Sequence, residues 1–323
     1  MSSTEPSPQV PLVAQESAAR LSLAVLIPTR NRPRDLTIAV RTLLEQTVLP
    51  QELIIVDQSP NDESERQVRA LFAERAAAAQ VCLRYTLDPG ITGAAMARNV
   101  ALDQNRCAIF LFLDDDVELE PDFIERLLEG YAEEPEVTGI SGIITNYAPG
   151  GFTARAWRWL FENGTFCDDR YSIYYRANEL RGAGRIPVSC FGGGLMSFRA
   201  SRTSGLRFDS NLRGASEGED VDFCLHLPAG ALLEIDPRAR LVHNRSATAR
   251  PDEHWNASAV RGISYLYYRN WRHGWSNRIA FAWLMTGFAI LVLLASVKSG
   301  SLAPWRAFTA ALRHGKEVGS GKK

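Results

Sequence analysis

The sequence has few cysteines, and none of them lie close together. It contains five in 323 residues, an odd number, and it has no CxxC motif. Small secreted domains carry dense cysteine frameworks, and many zinc sites use closely spaced cysteine pairs. The pattern therefore favours reduced thiols in a cytosolic compartment, where most of the cysteines would be small core residues.

The N-terminal residues lack the features of a signal peptide. Residues 1–20 are rich in Ser, Pro, Glu and Gln, and no basic start is followed by an apolar core. We interpret this segment as a disordered tail, because it offers little apolar surface to bury.

The chain also lacks an excess of charge of one sign. It has 36 Lys and Arg against 37 Asp and Glu, for a net charge of −1. No global field favours nucleic acid, so no nucleic-acid partner is expected. The bases are nevertheless concentrated in residues 250–323, where they clearly outnumber the acids.

Neither a GxGxxG motif nor a Walker loop is present, yet strands and helices alternate as in a nucleotide-binding sheet. Apolar runs and helical patterns alternate four times with short connections, which predicts a doubly wound sheet with parallel strands in this half. The predicted strands are 21–27, 52–56, 81–85 and 108–113. The predicted helices are 34–45, about 63–79, 94–104 and about 122–131.

Polar turn-forming segments follow each of these strands. They are Thr29, Asp57, residues 88–93 and residues 114–116. Ligands of such sheets collect outside the carboxyl ends of the strands, so four polar segments at one edge predict a nucleotide-type ligand.

The acidic triplet Asp114, Asp115 and Asp116 ends the fourth strand. In an extended chain Asp114 and Asp116 point to one side and Asp115 to the other. Two converging carboxylates suit a hard divalent cation that also holds phosphate. The alternative is a solvated turn that caps the next helix, and the triplet alone does not decide between them.

The second half of the chain is less regular. A strand is predicted at 137–145, and the aromatic region 149–187 is either a loop that orders over a ligand or, slightly favoured, a helical core segment. Residues 191–198 are predicted to form a strand whose glycines, Gly193 among them, allow close backbone approach or form a bulge. A helix at 217–227 begins with carboxylates that are ordinary helix-start signals. Two short strands are predicted at 232–235 and 241–243.

Five segments together resemble the family 2 glycosyltransferases, which are inverting enzymes of the GT-A fold that use nucleotide-activated sugars. The resemblance covers about residues 21–250. The matching segments are VLIPTRN at 25–31, IVD at 55–57, GAAMARN at 93–99, FLDDD at 112–116 and GEDVD at 218–222. The resemblance implies a mixed sheet with a nucleotide-binding half and an acceptor-binding half.

The resemblance also implies a donor site for a nucleotide-diphosphate sugar. Thr29 and Asp57 would contact the nucleobase, and Arg98 would lie near the nucleotide. Asp114 would reach the ribose or the metal. Gly193 is assigned to nucleotide-sugar binding.

The catalytic and metal-binding roles follow in the same way. Asp220 matches the general base, supported by Glu219. Asp116, with Asp114, would bind a cation that bridges the diphosphate, and His243 would complete the metal shell. Two carboxylates and an imidazole suit Mn²⁺ as well as Mg²⁺. By this assignment Asp115 is the dispensable carboxylate.

One position departs from the family pattern. The family often has Arg where this chain has His226. The local charge near the base is therefore open, and so is the handling of the acceptor.

The C-terminal segment, residues 251–323, indicates membrane association. Residues 279–297 carry no charge, and as a helix of about 28 Å they would match a hydrocarbon core of about 30 Å. Residues 260–278 interleave aromatic residues with arginines, as in helices that lie at the headgroup level. Bases flank the apolar run on both sides, so a single span, a re-entrant helix and an interfacial helix all stay open.

These features together predict an inverting glycosyltransferase at the cytoplasmic face of the inner membrane. Its acceptor would be a glycan, expected to be lipid-linked and used in cell-surface polysaccharide synthesis. One alternative is a sugar nucleotidyltransferase, which would need a glycine-rich loop where residues 28–33 have no glycine. The other is a non-catalytic, membrane-anchored nucleotide-sugar sensor, which would be expected to have lost its base or metal ligands.

Overall fold

A computed structural model describes most of the chain. The described residues are 21–148, 150–162, 173, 176–212, 218–245 and 255–321. The predicted tail, 1–20, and part of the aromatic region lie outside them.

Nine strands form one mixed sheet among the described residues. They are β1 (Leu23–Thr29), β2 (Glu52–Asp57), β3 (Cys82–Leu87), β4 (Ile109–Leu113), β5 (Val117–Leu119), β6 (Gly139–Ile144), β7 (Ile186–Val188), β8 (Leu195–Arg199) and β9 (Leu233–His243). Their order is β3-β2-β1-β4-β8-β6-β9-β5, and β7 pairs with β9. The pairs among the first four strands are parallel, whereas β8 runs antiparallel to β4.

The predicted buried strands are confirmed in the parallel half. Every residue of β1, β2 and β4 is buried, as their unbroken apolar runs indicate. In the β1–β2 register Thr29 lies beside Asp57, so the residues that end these strands share one edge of the sheet.

Helices cover both faces of this sheet. They are α1 (Pro33–Leu43), α2 (Glu63–Ala78), α3 (Ala94–Gln104), α4 (Phe123–Glu133) and α6 (Glu219–Leu225), whereas α5 (Phe152–Phe161), between β6 and β7 in the chain, has no buried residue. One apolar core packs α1, α2 and α4 against the sheet. A second core holds α3 and α6. The predicted doubly wound layering is therefore confirmed.

Three predicted strands differ from the observed ones. The glycines at 192–194 form a turn before β8 and not the first half of a strand, because only Gly192 makes an isolated bridge to Leu195. Residues 233–243 form a single strand and not two. Its pairing with β6 jumps from Ile235 to Arg240, and the bulge between them holds Pro237, which a regular ladder would not accept.

Three helices lie in the part of the C-terminal segment that the structure describes. They are α7 (Trp255–Leu266), which continues into a π-helical turn (Tyr267–Trp271), α8 (Trp275–Ser299) and α9 (Ala303–Gly319). Among the described residues α8 alone is long and apolar enough to cross a membrane. The division at residue 250 stays a prediction, although Tyr265 and Leu266 of α7 are buried in the core around α6.

Candidate functional site

Asp114, Asp116 and His243 meet at the carboxyl edge of the sheet. The two carboxylates follow β4, and His243 ends β9, which pairs with β5 so that Val117 lies beside His243. One ligand atom from each residue lies within 4.8 Å of the others. Nε2 of His243 is 2.9 Å from Asp116 Oδ1 and 3.9 Å from Asp114 Oδ2. This donor set fits Mn²⁺ or Mg²⁺, although the ligand roles stay predictions.

The imidazole of His243 lies in a strongly anionic place. Burial by itself would lower its pKa, but the hydrogen bond to Asp116 and the charge of Asp114 outweigh burial and raise the pKa above its ordinary value. A protonated imidazole can therefore balance the carboxylates, and a bound cation would replace that proton.

Asp115 does not fit the expectation that it is dispensable. Its carboxylate is buried and accepts hydrogen bonds from Thr29 Oγ1 at 2.6 Å and from an Arg32 guanidinium nitrogen at 2.7 Å. Burial raises the pKa of Asp115 to about 7, with Arg32 acting in the opposite direction. Asp115 therefore fixes the loop after β1, and Arg32 is a site residue that sequence reasoning missed.

The carboxylate of Asp57 accepts hydrogen bonds from residues of the parallel half of the sheet. The Ser59 backbone N–H donates to Asp57 Oδ1 at 2.8 Å, and the Tyr85 hydroxyl donates to Oδ2 at 2.7 Å. Asp57 is fully buried at the end of β2. Contacts of Thr29 and Asp57 with a nucleobase stay predictions.

Arg98 links the metal-ligand group to the start of α6. Its guanidinium is buried, forms an ion pair with Glu219, donates to the Gly193 carbonyl at 2.8 Å and lies 3.5 Å from Asp114 Oδ1. Burial, and then repulsion by Asp220, raise the pKa of Glu219 to about 7, while Arg98 opposes the rise. Glu219, like Asp115, is thus an acid whose charge state changes near neutral pH.

Asp220 is held in the first turn of α6 by backbone donors. The Gly193 N–H donates to its Oδ2 at 2.8 Å, and its own neighbour Val221 donates to Oδ1 at 2.8 Å. Ionised carboxylates that accept N–H groups are well oriented, as a general base must be.

The glycine turn before β8 makes the close backbone approach that the sequence predicts. A Cβ at Gly193 would lie 3.0 Å from Glu219 Oε1, and a Cβ at Gly194 would lie 2.5 Å from Asp114 Oδ2. Because glycine has no Cβ, the backbone at both positions can lie close to these carboxylates, and Asp220 and Asp114 are held on the same turn.

The C-terminal segment reaches the helix that carries the base. Asn270, in the π-helical turn, donates to the buried Asp222 Oδ1 at 2.9 Å. His226, half exposed at the end of α6, has its Nδ1 2.7 Å from the Asp222 carbonyl oxygen. No signal in the sequence pointed to Asn270, because its partner is 48 residues away.

The sequence profile of Glycosyl transferase family 2 matches residues 24–205. Galactofuranosyltransferase GlfT2 of Mycobacterium tuberculosis (strain ATCC 25618 / H37Rv) is 36% identical over 127 residues, which are 36% of this chain and 19% of that protein. GlfT2 of Mycolicibacterium smegmatis is 32% identical over 125 residues, or 37% and 19% of the two chains. The chain covers about a fifth of the length of these curated relatives.

Solved structures share the fold. The mannosyltransferase PcManGT from Pyrobaculum calidifontis, in complex with GDP-Man and Mn²⁺, aligns with 94% of this chain and 87% of its own at a TM-score of 0.54 and 16% identity. S. aureus TarS 1–349 with UDP-GlcNAc aligns with 92% of this chain and 81% of its own at 0.58 and 14%. These likenesses confirm the predicted GT-A architecture with its mixed sheet.

Proposed function

The chain belongs to glycosyl transferase family 2, and on that premise we propose that it transfers a hexosyl or deoxyhexosyl group from a nucleotide-diphosphate sugar to an acceptor hydroxyl, with inversion. One observation carries the proposal. The group of Asp114, Asp116 and His243 and the carboxylate of Asp220 are joined through two residues. Arg98 lies 3.5 Å from Asp114 and donates to the Gly193 carbonyl, and the Gly193 N–H donates to Asp220.

The metal-ligand group would hold Mn²⁺ or Mg²⁺ beside the donor diphosphate. When bound, the cation would stabilise the negative charge that develops on the leaving nucleoside diphosphate. Mn²⁺ is present in the PcManGT structure with GDP-Man, which supports this choice of ion. Arg98, 3.5 Å from Asp114, would add positive charge at the same place.

Asp220 would act as the general base. It would take the proton from the acceptor hydroxyl as that oxygen attacks the sugar from the face opposite the diphosphate. The two N–H donors from Gly193 and Val221 hold the Asp220 carboxylate in place. The adjacent Glu219, which is ion-paired with Arg98, would support it. A single displacement with one base gives inversion, so no covalent nucleophile is required.

The acceptor and the location are proposed from the C-terminal helices. The apolar α8 and the aromatic, arginine-rich segment before it support a position at the cytoplasmic face of the inner membrane. Reduced cysteines and the need for nucleotide sugars agree with a cytoplasmic catalytic domain. A lipid-linked glycan of cell-surface polysaccharide synthesis is the acceptor class that such a location favours.

A panel of nucleotide sugars, tested by thermal shift with and without Mn²⁺, examines this proposal directly. We expect one donor to stabilise the protein in a Mn²⁺-dependent manner. Asp220→Asn should keep that stabilisation and lose transfer by about a thousandfold or more, since general base catalysis contributes 10²–10⁴-fold. Asp116→Ala should lose the Mn²⁺-dependent part.

The exposed Asp62, at the start of α2, offers a matched control. Asp62→Asn should leave both donor binding and turnover unchanged. If no nucleotide sugar stabilises the protein, or if Asp220→Asn turns over at a near-normal rate, the proposed function or the assignment of the base is wrong.

A further inference from the structure

One face of α8 is apolar and exposed along its whole length. We call this face the outer stripe. Its members are Ile279, Trp283, Ile290, Leu293, Leu294 and Val297, all at least 44% exposed. The polar Thr286 interrupts the stripe, but its hydroxyl donates back to the Ala282 carbonyl at 2.8 Å. The charged residues of α8, Arg278 and Lys298, lie at its two ends.

The opposite face of α8 packs on protein. On this face Leu284, Phe288 and Val292 are buried. α5 adjoins the outer stripe near mid-helix, where Trp157 donates its indole N–H to the Gly287 carbonyl at 3.2 Å and the stripe member Trp283 donates to the Leu160 carbonyl at 2.8 Å. A Cβ at Gly287 would lie 2.5 Å from the Phe161 ring. The middle of α8 therefore packs against α5, a helix from the segment between β6 and β7.

The return helix α9 fixes α8 from another direction. A Cβ at Gly315 would lie 2.5 Å from the Arg261 carbonyl oxygen, and one at Gly319 2.5 Å from that of Tyr265, so α9 lies directly on α7. α7 in turn is tied to the catalytic domain, since the Tyr265 hydroxyl donates to Asp209 at 3.1 Å. The outer stripe is therefore the exposed face of a stack of helices.

This packing decides between the orientations that the sequence leaves open. If α8 crossed a bilayer, α5 and α9 would have to enter the hydrocarbon beside its midpoint. They would bring Arg155, Arg158 and Arg313 with them, and each charge at such depth is costly. A helix that lies flat avoids this cost, because one face meets lipid and the other meets protein.

We propose that α8 lies in the plane of a membrane, with the outer stripe embedded at the boundary between headgroups and acyl chains, and does not span the bilayer. Leu160, beside Trp283, extends this surface onto α5, whose Phe152 and Trp159 are 86% and 72% exposed. The stripe runs about 27 Å at ~1.5 Å per residue, and its length lies along the membrane surface.

The charges around the stripe indicate anionic lipid. Glu317 is the only acid between residues 255 and 321. Basic residues, in contrast, flank α8 on both sides in the chain and also occur in α5. They include Arg155, Arg272, Arg278, Lys298 and Arg306. Anionic headgroups would pair with them, whereas a second copy of this chain on the same face would bring like charges together.

Vesicle binding by the full chain tests the surface. We expect co-sedimentation with sealed vesicles of phosphatidylglycerol and phosphatidylcholine, weaker binding at high salt, and little binding to phosphatidylcholine alone. Exchanging two stripe residues in Leu293→Ser/Leu294→Ser should weaken binding by about tenfold or more. Leu71→Ser on α2 is the matched control, because Leu71 is as exposed as Leu294, at 61%, and should leave binding unchanged.

Labelling from one side separates a flat helix from a spanning one. Ser301→Cys, between α8 and α9, would be placed in a Cys82→Ser background because Cys82 is exposed. A membrane-impermeant maleimide outside the vesicles should label it fully. Protection until detergent is added would overturn the proposal, since a spanning α8 would carry residue 301 to the inside.

Two further outcomes also count against the surface. Unchanged vesicle binding by the double variant would overturn the proposed membrane surface. If the double variant instead changed from dimer to monomer in light scattering and still bound vesicles, the outer stripe would be an interface with a second copy of the chain. If the double variant fails to fold, Ile290→Gln replaces it.

The inference deepens the membrane part of the proposed function, but its test needs no donor. Thermal stabilisation by donor and Mn²⁺, measured on the same variants in solution, distinguishes failure of the membrane surface from failure of the proposed enzyme function. Vesicle binding without donor binding by the unaltered chain would reject the enzyme and keep the surface.

Discussion

Each carboxylate of the acidic triplet has its own counter-charge. Asp114 lies near Arg98, Asp115 binds Arg32, and Asp116 contacts His243. Three adjacent carboxylates would repel one another without such partners. These partners come from α3, from the loop before α1 and from β9. The fold is therefore needed to distinguish Asp115, which is held by Arg32, from Asp114 and Asp116, which lie with His243 at the proposed metal position.

Glu219 gives a pH-dependent prediction at the residue scale. Its pKa of about 7 in the folded protein lies above the ordinary 4.5. Between these values the unfolded chain loses the proton while the folded chain keeps it, so stability falls as pH rises and changes no further above about 7. In Glu219→Gln this fall should become shallower, as measured by urea unfolding from pH 4.5 to 8, and the part that remains is expected from Asp115, whose pKa is also raised to about 7.

An exposed glutamate provides the comparison for that experiment. Glu136 lies at the surface with a 77% exposed side chain, and Glu136→Gln should keep the slope of the unaltered protein. Equal slopes for the unaltered protein and Glu219→Gln would show that Glu219 is ionised in the folded state throughout this range.

At the scale of elements, the turn before β8 positions the site. The Asp114 N–H donates to the Gly194 carbonyl at 3.2 Å, because β8 runs antiparallel to β4 and ends its pairing there. The turn therefore holds Asp114 on one side and, through Gly193, Asp220 on the other.

Replacing Gly194 should disturb metal binding without unfolding the protein. In Gly194→Ala the added Cβ would meet Asp114 Oδ2 at 2.5 Å, and this side chain would have to move away from Asp116 and His243. We expect Mn²⁺ affinity, measured by calorimetry, to fall about tenfold or more, as for other changes that reorient a ligand.

Gly184→Ala is the matched change, because a Cβ there has open space around it. It should bind Mn²⁺ normally. Normal binding by Gly194→Ala as well would mean that Asp114 is not a required ligand.

At the scale of the whole molecule, the C-terminal helices are part of the catalytic domain's packing. Tyr265 and Leu266 are buried in the same core as Phe208 and Phe223, and Asn270 binds Asp222. The predicted boundary at residue 250 would leave this core uncovered. α7 also contacts α6, so the proposed membrane surface would lie close to the helix that carries Asp220.

Truncation tests this connection. A chain that ends at residue 250 should lose about 3–5 kcal/mol or more of stability, because it loses two large buried side chains. A chain that ends after Arg272 keeps α7 and its contacts with the core around α6, although it loses those with α8 and α9, and it should unfold cooperatively at a higher temperature. Thermal unfolding followed by near-ultraviolet circular dichroism compares them, and equal transitions would place α7 outside the domain core.

Local sequence pattern was enough to predict the parallel half of the sheet and the positions of its polar ends. Unbroken apolar runs specify buried strands, and short connections leave few ways to pair them, so Thr29, Asp57 and Asp114 could be placed on one edge from local pattern. The family resemblance further indicated Asp116, Asp220 and His243 together.

The ion pairs and hydrogen bonds of the site could be identified only from the folded chain. Arg32 with Asp115, Arg98 with Glu219 and Asn270 with Asp222 join residues that are 48 to 121 positions apart. The same holds for α8, whose composition allows a span but whose middle is fixed to α5. Periodicity reports which face of an element is apolar, whereas contacts between distant elements depend on how the whole chain packs.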